Sequence, residues 1–283
     1  MSRRAAAASI ALVAVVLAAA GSSKPERGFV VRPLVADVGR RAPVVDPSLV
    51  NAWGLAASPT GPWWTANEAR DSSTLYSGEG RRQHLIVAVG GGPTGVVFNG
   101  GREFRIAAAG RSDPARFIYA CEDGKVRAWT PTVPVGWSTK SAVAIDEGAE
   151  AAVFRGIALA GGRLYVTDFH NARVDVYDGA WHRLTRRGAF ADPKVPAWYA
   201  PFGIRAMGNR IFVTYMWRAP VNGNDSPTGG YVDEFDLDGR LVSRVARLGA
   251  LNAPWGLARA PRSFGRFGGD LLVGNFGDGR INA

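Results

Sequence analysis

The stretch that decides the fold is Asn252-Ala253-Pro254-Trp255-Gly256-Leu257-Ala258, because it nearly copies the upstream run Asn51-Ala52-Trp53-Gly54-Leu55-Ala56. Three other Gly-centred apolar openings lie between them: Pro93-Thr94-Gly95-Val96-Val97, Phe154-Arg155-Gly156-Ile157-Ala158-Leu159 and Ala200-Pro201-Phe202-Gly203-Ile204. The central glycines recur roughly every 40–60 residues, the period at which a sequence repeat means stacked supersecondary units. They are expected on equivalent innermost strands around one axis, where a residue without Cβ lets neighbouring backbones approach.

Working outward from each opening, a strand-like run follows. These runs are Trp63-Trp64-Thr65-Ala66-Asn67, Phe117-Ile118-Tyr119-Ala120-Cys121-Glu122, Leu164-Tyr165-Val166-Thr167-Asp168, Ile211-Phe212-Val213-Thr214-Tyr215 and Leu271-Leu272-Val273-Gly274-Asn275. β-Branched and aromatic residues dominate them, and turn residues bound them. A third run alternates apolar and polar residues in four of the units, as in Arg173-Val174-Asp175-Val176-Tyr177 and Tyr231-Val232-Asp233-Glu234-Phe235. Fourth strands are expected at 85–89, 143–146, 183–187 and 241–245. Antiparallel units of this kind with no helical period between them make the chain all-β and a β-propeller. Residues 29–38 also have strand character, but precede the first opening.

The opening with Gly-Ile/Leu-Ala, a strand ending in Asp or Asn and then an alternating strand resembles NHL-type propeller repeats. The chain is similar to an uncharacterised family of exported bacterial NHL-like propeller proteins, some with PEP-CTERM sorting tails. The residues that carry the resemblance are 51–56, 93–100, 120–124, 164–171, 199–204 and 251–283, above all Asp168-Phe169-His170-Asn171 and Gly274-Asn275-Phe276-Gly277-Asp278-Gly279-Arg280-Ile281-Asn282. It implies six blades. About five are legible here, with the third strand of the fifth just beginning at Arg280, so the propeller domain at 29–283 is expected to be incomplete at its C-terminus.

Residues 1–20 read as a signal peptide. Arg3 and Arg4 precede an apolar run, and Ala18-Ala19-Ala20 offers a small-residue cleavage site. A short linker at 21–28 follows. The expected location is secreted or periplasmic, with no membrane span after cleavage. Cys121 is the single cysteine, so no internal disulfide is available, and it sits in an apolar strand with no basic activator beside it. The formal net charge of +10 comes from 34 Lys and Arg against 24 Asp and Glu. The arginines are scattered rather than clustered with exposed aromatics, which argues against nucleic acid as a partner. An envelope or extracellular protein or a carbohydrate fits better.

Strand topology brings the ends of the second strands to one channel mouth. The ligand-binding candidates there are Asn67, Glu122, Asp168, His170, Asn171, Tyr215 and Asn275, with Asn51, Thr94, Arg155, Pro201 and Asn252 at the starts of the first strands. Glu122 and Asp168 are the metal candidates, and a divalent cation such as calcium is the cofactor they would take through oxygen ligands. This is loosely similar to gluconolactonase-like propellers and implies a metal-assisted hydrolase or lactonase as the alternative function. The competing explanation of the same Asp and Asn residues is that they cap strand ends. No Gly-x-Ser-x-Gly, phosphate loop or dinucleotide fingerprint is present. The first expectation is therefore a binding or scaffold propeller. Trp53 and Trp255 are expected to pack between blades, and residues 217–230 to form an insertion over the mouth.

Overall fold

A two-stranded parallel pair, β1 (Val35–Ala36) and β2 (Val44–Val45), precedes the repeats. Blade one is β3 (Ala52–Ala57), β4 (Trp63–Asn67), β5 (Ser72–Tyr76) and β6 (Arg82–Ala88). Blade two starts with β7 (Pro93–Phe98). It is interrupted by the hairpin β8 (Arg105–Ala108) and β9 (Arg111–Pro114), and continues with β10 (Phe117–Cys121), β11 (Lys125–Trp129) and β12 (Ala142–Asp146). Blade three has only β13 (Phe154–Ala160), β14 (Arg163–Asp168) and β15 (Arg173–Tyr177). Blade four is β16 (Tyr199–Met207), β17 (Arg210–Trp217), β18 (Tyr231–Asp236) and β19 (Leu241–Arg247). Blade five is β20 (Pro254–Arg259), β21 (Leu271–Asn275) and β22 (Ile281–Asn282). This computed structural model describes residues 29–133, 138–218 and 229–283, and every strand lies within the unit Pro33–Ala283.

The five blades are antiparallel meanders whose first strands, β3, β7, β13, β16 and β20, pack against one another in sequence order. Close approach of backbones is the reason for glycine there. A Cβ on Gly54 would lie 2.7 Å from the Val96 nitrogen, one on Gly95 3.1 Å from the Arg155 oxygen, and one on Gly156 2.9 Å from the Ile204 nitrogen. On Gly203 it would collide with the Trp255 carbonyl. On Gly256 it would meet nothing nearer than Gly274 Cα, 3.8 Å away in its own blade. The ladder of contacts runs 54, 95, 156, 203, 256 and stops there.

Each of the five first strands carries a β-bulge at its leading end. A bulge takes an N–H out of the ladder, and a second-strand threonine recovers it in two blades. Gly156 N–H donates to Thr167 Oγ1 (2.7 Å) and Gly203 N–H to Thr214 Oγ1 (2.8 Å).

Second strands are covered on both faces by adjacent blades, so they read as continuous apolar runs rather than alternating ones. All five residues of β10 are buried. Each large one contributes about 1.5–3 kcal/mol of hydrophobic stabilisation. Aromatic contacts cross the blade boundaries: Trp64 stacks on Phe117 at 3.9 Å, and Phe190 meets both Tyr165 and Phe235. Of the adjacent tryptophans, Trp64 is core and Trp63 is 45% exposed, as their opposite sheet faces require.

Residues 183–187 form no fourth strand. Blade three ends at β15, with only the isolated bridge Tyr177–Arg183 beyond it. The other three expected fourth strands are β6, β12 and β19. The segment 35–36 does not complete a last blade. It pairs with β2, and Leu34 beside it packs against Gly80 in the β5–β6 turn. Among the described residues the only helical elements are single 3-10 turns. The signal-peptide and linker positions 1–28 lie outside the described residues.

Candidate functional site

The residue preceding each inner glycine stands at the leading end of a first strand, where five strands converge. These positions hold Trp53, Thr94, Arg155, Phe202 and Trp255. Thr94 is fully buried, and its hydroxyl lies 2.7 Å from the Arg155 carbonyl, tying blade two to blade three. The other four close the channel mouth as one cluster. Trp53 meets Trp255 edge-on at 5.0 Å and Phe202 at 5.9 Å, and Phe202 meets Trp255 at 5.0 Å. Phe276, just past β21, lies 4.9 Å from Trp53 and is 53% exposed. Phe169, just past β14, joins through Phe202 at 5.7 Å.

Arg155 is the one charge on those five positions. Its guanidinium carbon lies 5.4 Å from the Trp53 ring centroid and 5.8 Å from that of Phe169, and it forms an ion pair with Glu122. Burial lowers the Arg155 pKa, and the nearby Glu68 charge opposes the shift. Glu68 itself accepts a hydrogen bond from Asn51 Nδ2 at 2.6 Å. Three polar atoms here are buried without a partner among the described residues: Trp53 Nε1, Arg155 Nε and Asn252 Oδ1. Buried polar groups are nearly always paired, so unpaired ones call for an explanation.

The residues singled out from sequence fall differently. Asn67 is fully buried in a blade-one network with Thr65, Ser72 and Thr74, which continues through Tyr76 to Asp46. Asp168 is fully buried and caps its turn. It accepts from the Val153 and Asn171 backbone N–H groups and from Asn171 Nδ2, and pairs with Arg173 at 3.2 Å. Asn171 is spent on that cap, and exposed His170 offers its carbonyl to Arg218. Tyr215 is buried, its hydroxyl unpartnered among the described residues and its pKa raised well above the ordinary value by burial. Asn275 Nδ2 bonds the Ala250 carbonyl.

Register removes Glu122 from the expected ring. The residue opposite Pro93 in β7 is Cys121, as Asn67, Asp168, Tyr215 and Asn275 are opposite theirs, so Cys121 fills the ring position of blade two and Glu122 lies one residue past it. Glu122 and Asp168 are each held by a separate arginine, Arg155 and Arg173. Among the described residues no three His, Cys, Asp or Glu side chains converge on a cation position. Asn51, Pro201 and Asn252 are likewise not equivalent to Thr94 and Arg155. Trp53, Phe202 and Trp255 are, and the two tryptophans line the mouth rather than serving only to pack blades. The signal that identifies them is the position before glycine. Most of the expected insertion, 219–228, lies outside the described residues.

The opposite end of the channel is open. A cavity of about 400 Å³ runs along the inner glycines to Leu55 and Trp63 on one side and Leu272 and Ile281 on the other. That is where Gly256 has no neighbouring strand. Among the described residues no helix is long and apolar enough to cross a membrane.

The chain is similar to two uncharacterized proteins of Acanthamoeba polyphaga mimivirus. One is 33% identical over 265 residues, covering 88% of this chain and 65% of the relative; the other is 31% identical over 252 residues, covering 84% and 66%. The chain therefore spans just under two thirds of the length of these relatives. No family model matches. Among solved structures, the chain resembles Kuenenia stuttgartiensis hydrazine synthase with a TM-score of 0.50 and 16% identity, over 84% of this chain and 64% of the other. It also resembles a streptogramin B lyase with a TM-score of 0.51 and 13% identity, over 82% and 64%. At these identities the likeness is one of fold, the β-propeller.

Proposed function

We propose that the protein is an exported binding propeller of NHL type that takes its ligand or partner at the aromatic channel mouth. The observation that carries this is the filling of the glycine-preceding positions. Three of the five hold large aromatics and a fourth a caged arginine, with unpaired polar atoms among them. Packing alone would not call for a half-buried, ion-paired arginine on the axis, since taking charge out of water is costly. A mouth of rigid aromatics with a few convergent polar groups is the usual composition of a ligand site. The hydrolase alternative has less support. Its two carboxylates are each engaged by their own arginine, and Asp168 already caps a turn.

We also propose that the complete ring has six blades, with a further sheet between blades five and one. The vacant side of Gly256 and the apolar flanks formed by Leu55, Trp63, Leu272 and Ile281 support this.

The test is a fragment screen read by the indole N–H resonances of tryptophan-labelled protein. Ligands of the mouth shift Trp53 and leave Trp129 and Trp181, whose indoles are bonded to backbone carbonyls, where they are. Fragments that move Trp63 or Trp255, which line the open cavity, and leave Trp53 unmoved would overturn the assignment.

A further inference from the structure

We infer that the outer rim of blade four is a docking surface for an acidic polypeptide segment of a partner protein. Apolar residues of that segment cover Leu241, Val242, Val245 and Leu248, and its carboxylates meet Lys194 and Arg247. The surface lies apart from the channel mouth, and the inference does not rest on the reading of the mouth.

The first observation is where apolar surface is left in water. β19 is the outermost strand of blade four. Leu241, Val242 and Val245 on it are 40%, 47% and 42% exposed, and Leu248 just beyond it is 44% exposed. The equivalent outer strands are better covered. β6 carries no large apolar side chain exposed to that degree, and β12 carries Val143 alone. The end of β6 is also closed by the next blade: Ala88 N–H donates to the Thr139 carbonyl at 2.8 Å, and the Ala88 carbonyl accepts from Ser141 N–H at 3.0 Å. Edge strands are normally blunted or covered, and apolar side chains clustered on the surface mark an interaction site.

The second is how the two valines come to face outward. Ala246 and Arg244 lie opposite Val232 and Asp233, and Ser243 and Leu241 lie opposite Glu234 and Phe235. Val242 and Val245 are therefore the extra residues of two bulges. A bulge bends its strand and disrupts the ladder. The rim is poorly suited to adding a further strand through its backbone, and it offers side chains instead. Beside it, residues 192–194 form the other wall of a cavity of about 590 Å³ lined by Leu241, Arg244 and Val245.

The third is charge. Two carboxylates lie against the strand, Asp192 and Asp233, with side chains 2% and 0% exposed, and both are held by Arg244. On the other face Glu234 pairs with Arg210 at 3.1 Å, and in the β18–β19 turn Asp236 accepts the Arg240 backbone N–H. Lys194 and Arg247 line the cavity, are exposed, and form no ion pair among the described residues. The accessible charge of the groove is positive, on a chain of formal charge +10. A second copy would set Lys194 and Arg247 of both molecules against each other, whereas an acidic segment neutralises them.

The experiment selects a displayed peptide library on the full chain and counter-selects it on Val242→Ser with Val245→Ser, changes at exposed positions outside the core. The peptides retained are expected to carry Asp or Glu flanking large apolar residues. A synthetic copy of the best one is expected to bind about tenfold more weakly to Lys194→Glu with Arg247→Glu, a difference of about 1.4 kcal/mol, and to lose affinity as salt rises. Retained peptides that are basic or uncharged would overturn the inference. So would an acidic peptide indifferent to the charge reversal, or a selection in which no peptide depends on Val242 and Val245. A dimer in sedimentation that Val242→Ser with Val245→Ser dissolves would make the rim a contact between copies, and the inference would fall.

Discussion

Gly203→Ala and Gly256→Ala make a matched pair, because the two glycines occupy the same place in consecutive blades and differ only in what lies beyond them. A Cβ on Gly203 would overlap the Trp255 carbonyl oxygen and come within 2.9 Å of its carbon and 3.0 Å of Thr214 Oγ1. Those are backbone atoms of the next inner strand and the hydroxyl that recovers the bulged Gly203 N–H, so neither can rotate away. Blades four and five must then separate, an overpacking cost of about 1–3 kcal/mol, with the upper end expected for a backbone obstacle. A Cβ on Gly256 has its nearest neighbour at 3.8 Å. Its φ is one an alanine adopts, so the change is expected to be neutral or to stabilise by about 0.4–1 kcal/mol through the unfolded chain. At about 2–4 °C per kcal/mol for a domain of this size, Gly203→Ala should lower Tm by about 5–12 °C relative to Gly256→Ala. Thermal unfolding of both variants by circular dichroism reads this directly. Equal melting temperatures, or a Gly256→Ala variant as damaged as Gly203→Ala, would refute the one-sided ladder.

Burial raises the Asp233 and Asp175 pKa values, against the opposing pull of Arg244 and Arg183 respectively. A carboxyl that holds its proton more tightly when folded stabilises fully below its unfolded value, about 3.9, and that contribution is lost as pH rises through the folded value. Urea unfolding across this window should show a smaller decline with pH for Asp175→Asn with Asp233→Asn than for the parent, and identical pH dependence would contradict it. Burial pushes the Cys121 thiol up to about 12, so a thiol reagent at pH 8 should label the protein only in denaturant. Labelling of the native protein would place Cys121 outside the core. Tyr76→Phe removes the donor at 2.7 Å from the buried Asp46 carboxylate and should cost about 1–3 kcal/mol by chemical denaturation, whereas a change within 0.5 kcal/mol would mean the network is wet.

The blade count and inner strands were legible because the constraint that makes them is local. A glycine is required where backbones touch, and it leaves its mark every blade. Trp63-Trp64 and the continuous apolar runs were legible for a similar reason, since burial on both faces is written in one segment. The mouth was not, because its register depends on bulges. One extra residue before each glycine turns the preceding side chain toward the axis, and in blade two it sets Cys121 rather than Glu122 opposite the strand start. Asp168 and Asn67 were read as mouth ligands from strand position, but their bonds go to turn backbone and to neighbouring hydroxyls, partners that sequence spacing does not reveal. The missing fourth strand of blade three has a visible cause in hindsight. The tract Arg183-Leu184-Thr185-Arg186-Arg187-Gly188 lacks a sustained alternation, and prolines follow at 193 and 196. The β8–β9 hairpin escaped because Arg105–Pro114 has little β propensity and falls outside the repeat.

The most direct measurement is a crystallographic soak of the protein with a mixed cocktail of neutral sugars and small aromatic fragments. Density is expected at the aromatic mouth, against the exposed face of Phe276. Density confined to the cavity between Leu55, Trp63 and Ile281, with the aromatic mouth empty at full occupancy of that cavity, would contradict the assignment of the mouth as the functional end of the propeller.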